Sequence, residues 1–259
     1  MRKSAALAMS ALVMMLPLRA SAACGFKEFP SKSIQLEAGA SISPLTKGRG
    51  TWNEADIFVL ARNGARSTLL RVASDTRFAM TDTAYEGAAY GMLGTRVIAN
   101  ANAAFSPQHH SLAASSLGGG LDVRSGGGYG YQVQYSDRSY TAVNAATTSV
   151  GADRYFRDRR VALGFSLAQL SGVPGTAFSS SIAYARYLPC DSESLSVSNG
   201  RDVENSRPGM LAVYRSMSYS AGDVHWLSKR FAVNASAGWY VLLGAYNRYE
   251  VRVALRERL

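Results

Sequence analysis

Cysteine and histidine are scarce: two Cys, Cys24 and Cys190, and three His in 259 residues. A Cys- or His-ligated metal module therefore lacks its ligands. Charge is thin as well. Asp, Glu, Lys and Arg make up 18% of the chain, against about a quarter in ordinary soluble domains. Acid is the rarer sign, with 18 acidic against 28 basic residues and a formal charge of +10. The chain is not rich in the Glu, Lys and Leu of a coiled coil. Beyond its first segment it has no apolar run of about 18 residues, which excludes a polytopic helical membrane protein. What is present is apolar content of 47%, too high for a disordered chain, with 14 Tyr and 24 Gly. The basic excess by itself points to nucleic acid or acidic lipid.

The first segment reads as an address. Met1-Arg2-Lys3 is a short basic start, Ala5 to Leu18 is mostly apolar, and Ala20-Ser21-Ala22 is a small-residue cleavage signal. That order is a secretory signal peptide over residues 1–22, cut near Ala22 or Ala23. Arg2, Lys3 and Arg19 leave with it, so the mature balance falls to +7, with 25 basic against 18 acidic residues. Cys24 lies close to the cut. A lipoprotein signal prefers an apolar residue three positions before the Cys, and here Ser21 stands there.

The mature chain alternates with period two. Tyr129-Gly130-Tyr131-Gln132-Val133-Gln134-Tyr135 has aromatic or apolar odd positions and small or polar even ones. Ser33 to Ala38, Arg160 to Leu167, Phe231 to Trp239 and Tyr249 to Arg256 behave likewise. Runs of roughly ten residues match a tilted membrane-crossing strand. About fourteen runs (12–16) are expected, near 33–42, 54–62, 67–77, 84–93, 95–105, 111–123, 129–138, 142–156, 159–170, 175–187, 192–200, 209–219, 229–240 and 247–258. Turn chemistry fills the breaks, as in Asn63-Gly64, Gly126-Gly127-Gly128 and Asn199-Gly200.

A soluble sandwich also alternates, but its polar face is rich in Lys, Glu and Thr. Here that face is mostly Gly, Ala, Ser, Gln and Asn, with occasional Arg and Glu, which suits the lumen of a barrel. Tyr129, Tyr187, Tyr219, Trp239 and Tyr249 fall near run ends, as in the aromatic girdles of a membrane barrel. Lipid forbids an open sheet edge, so a spanning sheet must close. The expected fold is all-β: one antiparallel up-and-down transmembrane barrel over 33–259, after a periplasmic tail at 23–32. Its expected partners are outer-membrane lipid, lipopolysaccharide and the barrel-insertion machinery. Nucleic acid drops out, because many of the remaining basic residues are Arg on predicted strand ends and on the polar face.

From about residue 84 the chain resembles the YaiO-type outer-membrane β-barrel family. The resemblance is clearest in Gly128 to Tyr135, Val150-Gly151-Ala152-Asp153-Arg154-Tyr155-Phe156 and Leu195 to Gly200. It continues in Met217-Ser218-Tyr219, Trp226-Leu227, Phe231 and Trp239-Tyr240. It implies location and fold, and little chemistry. One departure is the end of the chain. Outer-membrane barrels usually close on Phe, whereas this chain ends Arg256-Glu257-Arg258-Leu259.

Candidate sites follow from the barrel. Gln35, Glu37, Gln132, Gln134, Arg160, Asn234, Glu250, Arg252 and Arg256 are expected to line the lumen, where Arg and Glu either fill it or line a pore. With the first strand rising from the periplasm, all connections are short, and no segment is spare to form a plug. His109-His110-Ser111 invites a hydrolase reading, but adjacent strand residues point to opposite faces, so a polar outer loop is the reading adopted. His225 lies at the other end of the barrel, and no metal site or cofactor is expected. Gly118-Gly119-Gly120 and Gly126-Gly127-Gly128 lack the Lys-Ser or Lys-Thr of a phosphate loop and read as close-packing or turn glycines. Arg154, Arg157, Arg159 and Arg160, with Asp153 and Asp158, form either a basic mouth or boundary charge. A Cys24–Cys190 disulfide in the oxidising periplasm stands beside a free or lipidated Cys24. The expected function is a non-enzymatic outer-membrane port for a small solute or exported polymer, or a structural envelope protein. The alternatives are a lipid- or peptide-acting barrel enzyme and a soluble ligand-binding sandwich.

Overall fold

The computed structural model describes residues 32–141, 143–171, 176–207 and 210–259. The signal-peptide reading, most of the tail and Cys24 with its possible disulfide lie outside these residues. Fourteen strands run in chain order. They are β1 (Lys32–Pro44), β2 (Thr51–Asn63), β3 (Arg66–Arg77), β4 (Met80–Leu93), β5 (Val97–Phe105), β6 (Ser115–Arg124) and β7 (Tyr129–Ser139), followed by β8 (Asn144–Phe156), β9 (Arg159–Leu170), β10 (Thr176–Tyr187), β11 (Asp191–Arg207), β12 (Met210–Trp226), β13 (Phe231–Leu242) and β14 (Tyr246–Arg258). Each pairs antiparallel with its neighbours, and β14 closes on β1. Closure removes the two-sheet sandwich from consideration.

The pairings accumulate a stagger of 14 residues around the 14 strands. With about 3.3 Å per residue and about 4.8 Å between strands, the strands tilt by about 35° and the backbone radius is about 13 Å. β1 begins and β14 ends at one mouth, called here the terminal mouth. The opposite one is the far mouth.

Alternation sorts the side chains cleanly. Ile34, Ile42, Ile57, Leu70, Val133, Leu163, Phe165, Ile182, Val253 and Leu255 face outward and are exposed. They form the apolar band that a spanning barrel turns to lipid, about 25 Å tall. Tyr219, Trp239 and Tyr249 stack in a row across β12, β13 and β14 on this outer face, with centroids 5.5 and 6.3 Å apart. Tyr129 faces outward near the terminal mouth, where the Arg154 guanidinium lies 4.7 Å from its ring. Tyr187 does not belong with them. It shares parity with Ala183 and Ala185, opposite to outward Phe178 and Ile182, and stacks on inward-facing Tyr155. The aromatic at a run end was read as a girdle residue, but its position in the alternation turns it inward.

The band is interrupted on β11 and β12. Asp191, Glu193, Asp223 and His225 face outward near the terminal mouth, as cross-strand pairs. The His225 imidazole meets the Asp191 carboxylate.

Four boundaries differ from the expected ones by four residues or more. β11 and β12 continue through 201–207 and 220–226. β4 begins at Met80. β6 begins at Ser115, because residues 110–112 are held in a loop by Asp82.

Candidate functional site: the barrel lumen

The nine residues expected to line the lumen all occupy inward-facing positions. They do not form one uniform lining. The two halves of the wall are built differently.

On β14 and β1 to β4 the interior is filled by a connected charge network. Arg252 donates to Glu37 Oε1 at 3.0 Å and to Asp56 Oδ1 at 2.8 Å. Arg256 Nε donates to Glu37 Oε2 at 2.8 Å. Arg71 continues the chain, with Nε on Asp56 at 3.1 Å, Nη1 on Glu86 at 2.9 Å, and Nη2 on Glu54. Glu37 and Asp56 are 1% and 5% exposed, so each carboxylate is buried, paired and hydrogen-bonded, the arrangement under which buried charge is tolerated. Arg252 reaches Asp56 across β1, and Gly39 lies beneath it. A Cβ at 39 would sit 2.6 Å from Arg252 Nη2.

The same device recurs on the opposite wall. Arg124 on β6 crosses β7 to bond Asp153 on β8, and Arg160 Nε donates to that carboxylate at 2.6 Å. The strand crossed carries Gly130, whose added Cβ would collide with Asp153 and Arg124. Gly118 and Gly120 face inward under the side chains of Asn102 and Gln134, and Gly151 lies under Gln132. The sequence reading of these glycines as close-packing positions has this geometry behind it. The Arg run at 154–160 is split: Arg160 turns inward to Asp153, while Arg154 lies outward over Tyr129 and Phe156.

From β5 to β11 the mid-height lining is Asn, Gly, Gln, Ala and Ser, and no inward residue there is buried. Asn102, Gln134, Ser181 and Ser194 face inward and are nonetheless exposed. Farther round, hydroxyls pair across strands: Ser166 with Ser179 at 2.6 Å, Ser196 with Ser220 and Ser198 with Ser218 at 2.7 Å. Short side chains at a radius of about 13 Å leave the axis on this side open to water.

The far mouth is shaped on the filled side. At the far mouth, Trp52, Leu242, Ala245 and Tyr246 form a small apolar core, with Arg77 and Arg248 over the Trp52 ring. Next to it the loop at 106–114 folds inward onto Asp82, which is wholly buried. Asp82 accepts from the amides of His110, Ser111 and Leu112 at 2.8, 2.7 and 3.0 Å, and from Ser111 Oγ at 2.8 Å. His110 Nδ1 lies 2.9 Å from the same carboxylate. The carboxylate thus stands where a Ser–His relay needs the imidazole, and Ser111 donates to Asp82 instead of to a base.

Inward charges sort by height. Arg62, Arg124, Arg160, Arg256 and Arg258 lie toward the terminal mouth, with Glu37, Asp122 and Asp153. Arg71 is at the waist. Glu54, Asp56, Asp75, Asp82, Glu86, Asp202 and Glu250 lie toward the far mouth, with Arg77, Arg138, Arg248 and Arg252.

Sequence reading had not singled out Asp56, Arg71, Glu54 and Glu86. The signal was available, since Glu54 and Asp56 alternate with Ala55 and Ile57 along β2. Their mutual contacts needed the register.

No known family profile matches the chain, and no curated protein sequence matches it. Solved structures do match. The CymD monoaromatic hydrocarbon channel aligns with a TM-score of 0.61 at 8% identity, covering 88% of each chain. A bacterial polysaccharide outer-membrane secretin aligns at 0.57 and 9% identity, covering 89% of this chain and 100% of the other. The Acinetobacter baumannii outer-membrane protein Omp33 aligns at 0.53 and 12% identity, with the same coverage. At these identities the likeness is one of fold: this chain has the closed-barrel fold of outer-membrane porins and channels.

Proposed function

We propose that this protein is an outer-membrane port of the YaiO type that passes a small hydrophilic solute or an extended polymer through an off-centre, water-filled lumen. One observation carries the reading. At mid-height the inward-facing Asn102, Gln134, Ser181 and Ser194 are exposed, while the facing wall around Glu37 and Asp56 is buried. A barrel serving only as an envelope strut has no need of an unfilled, hydroxyl-lined half. Selection by such a lumen rests on its width and lining charge.

Strands β1 and β14 beginning and ending at the mouth with the shorter connections support a periplasmic position for that mouth. The N-terminal segment serves for export, and the outer band meets lipid and, in the outer leaflet, lipopolysaccharide. Insertion machinery reads the last strand, where Glu257 faces outward and pairs with Arg230. Purified protein reconstituted in planar bilayers is expected to give discrete conductance steps. A stable, silent bilayer at all voltages would overturn the port and favour the structural reading.

A further inference from the structure

We infer that the lumen is electrically polarised along its axis and conducts asymmetrically, admitting anions most readily at the terminal mouth and cations at the far mouth. The inference rests on the port reading above.

Among the described residues, the inward-facing strand positions carry ten Arg and ten carboxylates, so the two signs balance there. Height separates the signs. With Arg71 at the waist, the terminal half holds five guanidinium groups against three carboxylates. The far half holds four against seven. Arg62 and Arg258 at one mouth and Asp82 at the other sit within two residues of a strand end, while Asp202 and Glu250 lie five and four residues inside theirs, on the far side.

Several of these groups meet neutral partners. Asp202 accepts from the Tyr240 hydroxyl at 2.7 Å. Asp82 is held by three backbone amides and a serine hydroxyl. At the terminal mouth the Arg258 guanidinium lies 4.2 Å from the Trp226 ring centroid, and a cation over a ring keeps its charge.

Oppositely charged mouths in series act on mobile ions as a junction. A field driving cations from the far mouth and anions from the terminal mouth fills the lumen with both, and current rises. The reversed field empties it. The effect requires the lining charges to reach across the lumen. At about 0.1 M salt the screening length is about 10 Å, comparable to the lumen half-width, and at about 1 M it is about 3 Å.

The test is single-channel recording of the full chain in KCl, taking the ratio of currents at opposite polarities for each channel. We expect a ratio of about two at low salt, falling toward one at about 1 M. Arg62→Gln combined with Arg258→Gln should bring the low-salt ratio toward one while conductance persists. Asp202→Asn, at the other mouth, should move it the same way if the Arg variant does not insert. A linear current–voltage relation at low salt, or a ratio unmoved by these variants, would overturn the polarisation and leave the port standing. A channel that never conducts would overturn both.

Discussion

Replacing Gly39 by Ala tests the charge network at the point where it depends on a missing side chain. The new Cβ would lie 2.6 Å from Arg252 Nη2 and 2.8 Å from the Ala254 Cβ, so the guanidinium must leave its place over β1. Three hydrogen bonds are then at stake: to Glu37 Oε1 at 3.0 Å and to Asp56 Oδ1 and Oδ2 at 2.8 and 3.1 Å. Both carboxylates keep a second Arg, Arg256 for Glu37 and Arg71 for Asp56. The loss is therefore at the low end of what breaking a buried pair costs, about 3 kcal/mol for Arg252→Ala. Crowding by the Ala should cost about 2 kcal/mol, within the usual range for overpacking. The decisive quantity is the coupling. With Arg252 already removed, Gly39→Ala has no guanidinium to displace, and its cost should fall by at least about 1 kcal/mol. The assay is urea unfolding of the four barrels of the cycle, refolded in liposomes and followed by heat-modifiable gel mobility. If the two changes add to within about 0.5 kcal/mol, Gly39 is not there to let Arg252 pass, and the account of the filled half is wrong.

Two further expectations address the mouth and the open side. Asp82→Ala removes the acceptor for three loop amides and the Ser111 hydroxyl, so thermolysin should cut before Leu112 in the variant and spare the parent; equal resistance would show that the loop is held by something else. Ser196→Trp, at mid-height on the open wall, should reduce single-channel conductance by about half by occupying lumen cross-section, and an unchanged conductance would move the water path away from β11.

Much of the fold was legible because a strand writes its two faces into its own sequence. Tyr129 to Tyr135 alternates whatever surrounds it, and lipid on one side with a lumen on the other sharpens the contrast. The nine lumen candidates were readable by the same parity. Tyr187 was misplaced where its aromatic character was weighed above its parity, although Phe178 and Ile182 on the same strand already fixed which face is outward. The segment after Ser111 looked like strand because Leu112, Ala113 and Ala114 are apolar, and nothing nearby marks it as loop. The residue that decides it, Asp82, is 28 positions away from His110.

What the sequence determined by itself is therefore local: strand character, face, approximate number, and the sparseness of charge that a lipid-facing surface imposes. What only the tertiary structure decided is register and closure. Which glycine lies under Arg252, which carboxylates Arg71 joins, and which signs gather at each mouth depend on pairing β14 with β1 and on a 14-residue stagger. A slip of one position would turn each side chain of a strand to the other face. A slip of two would keep the faces and change the partners, and alternation within a single strand carries no record of that choice.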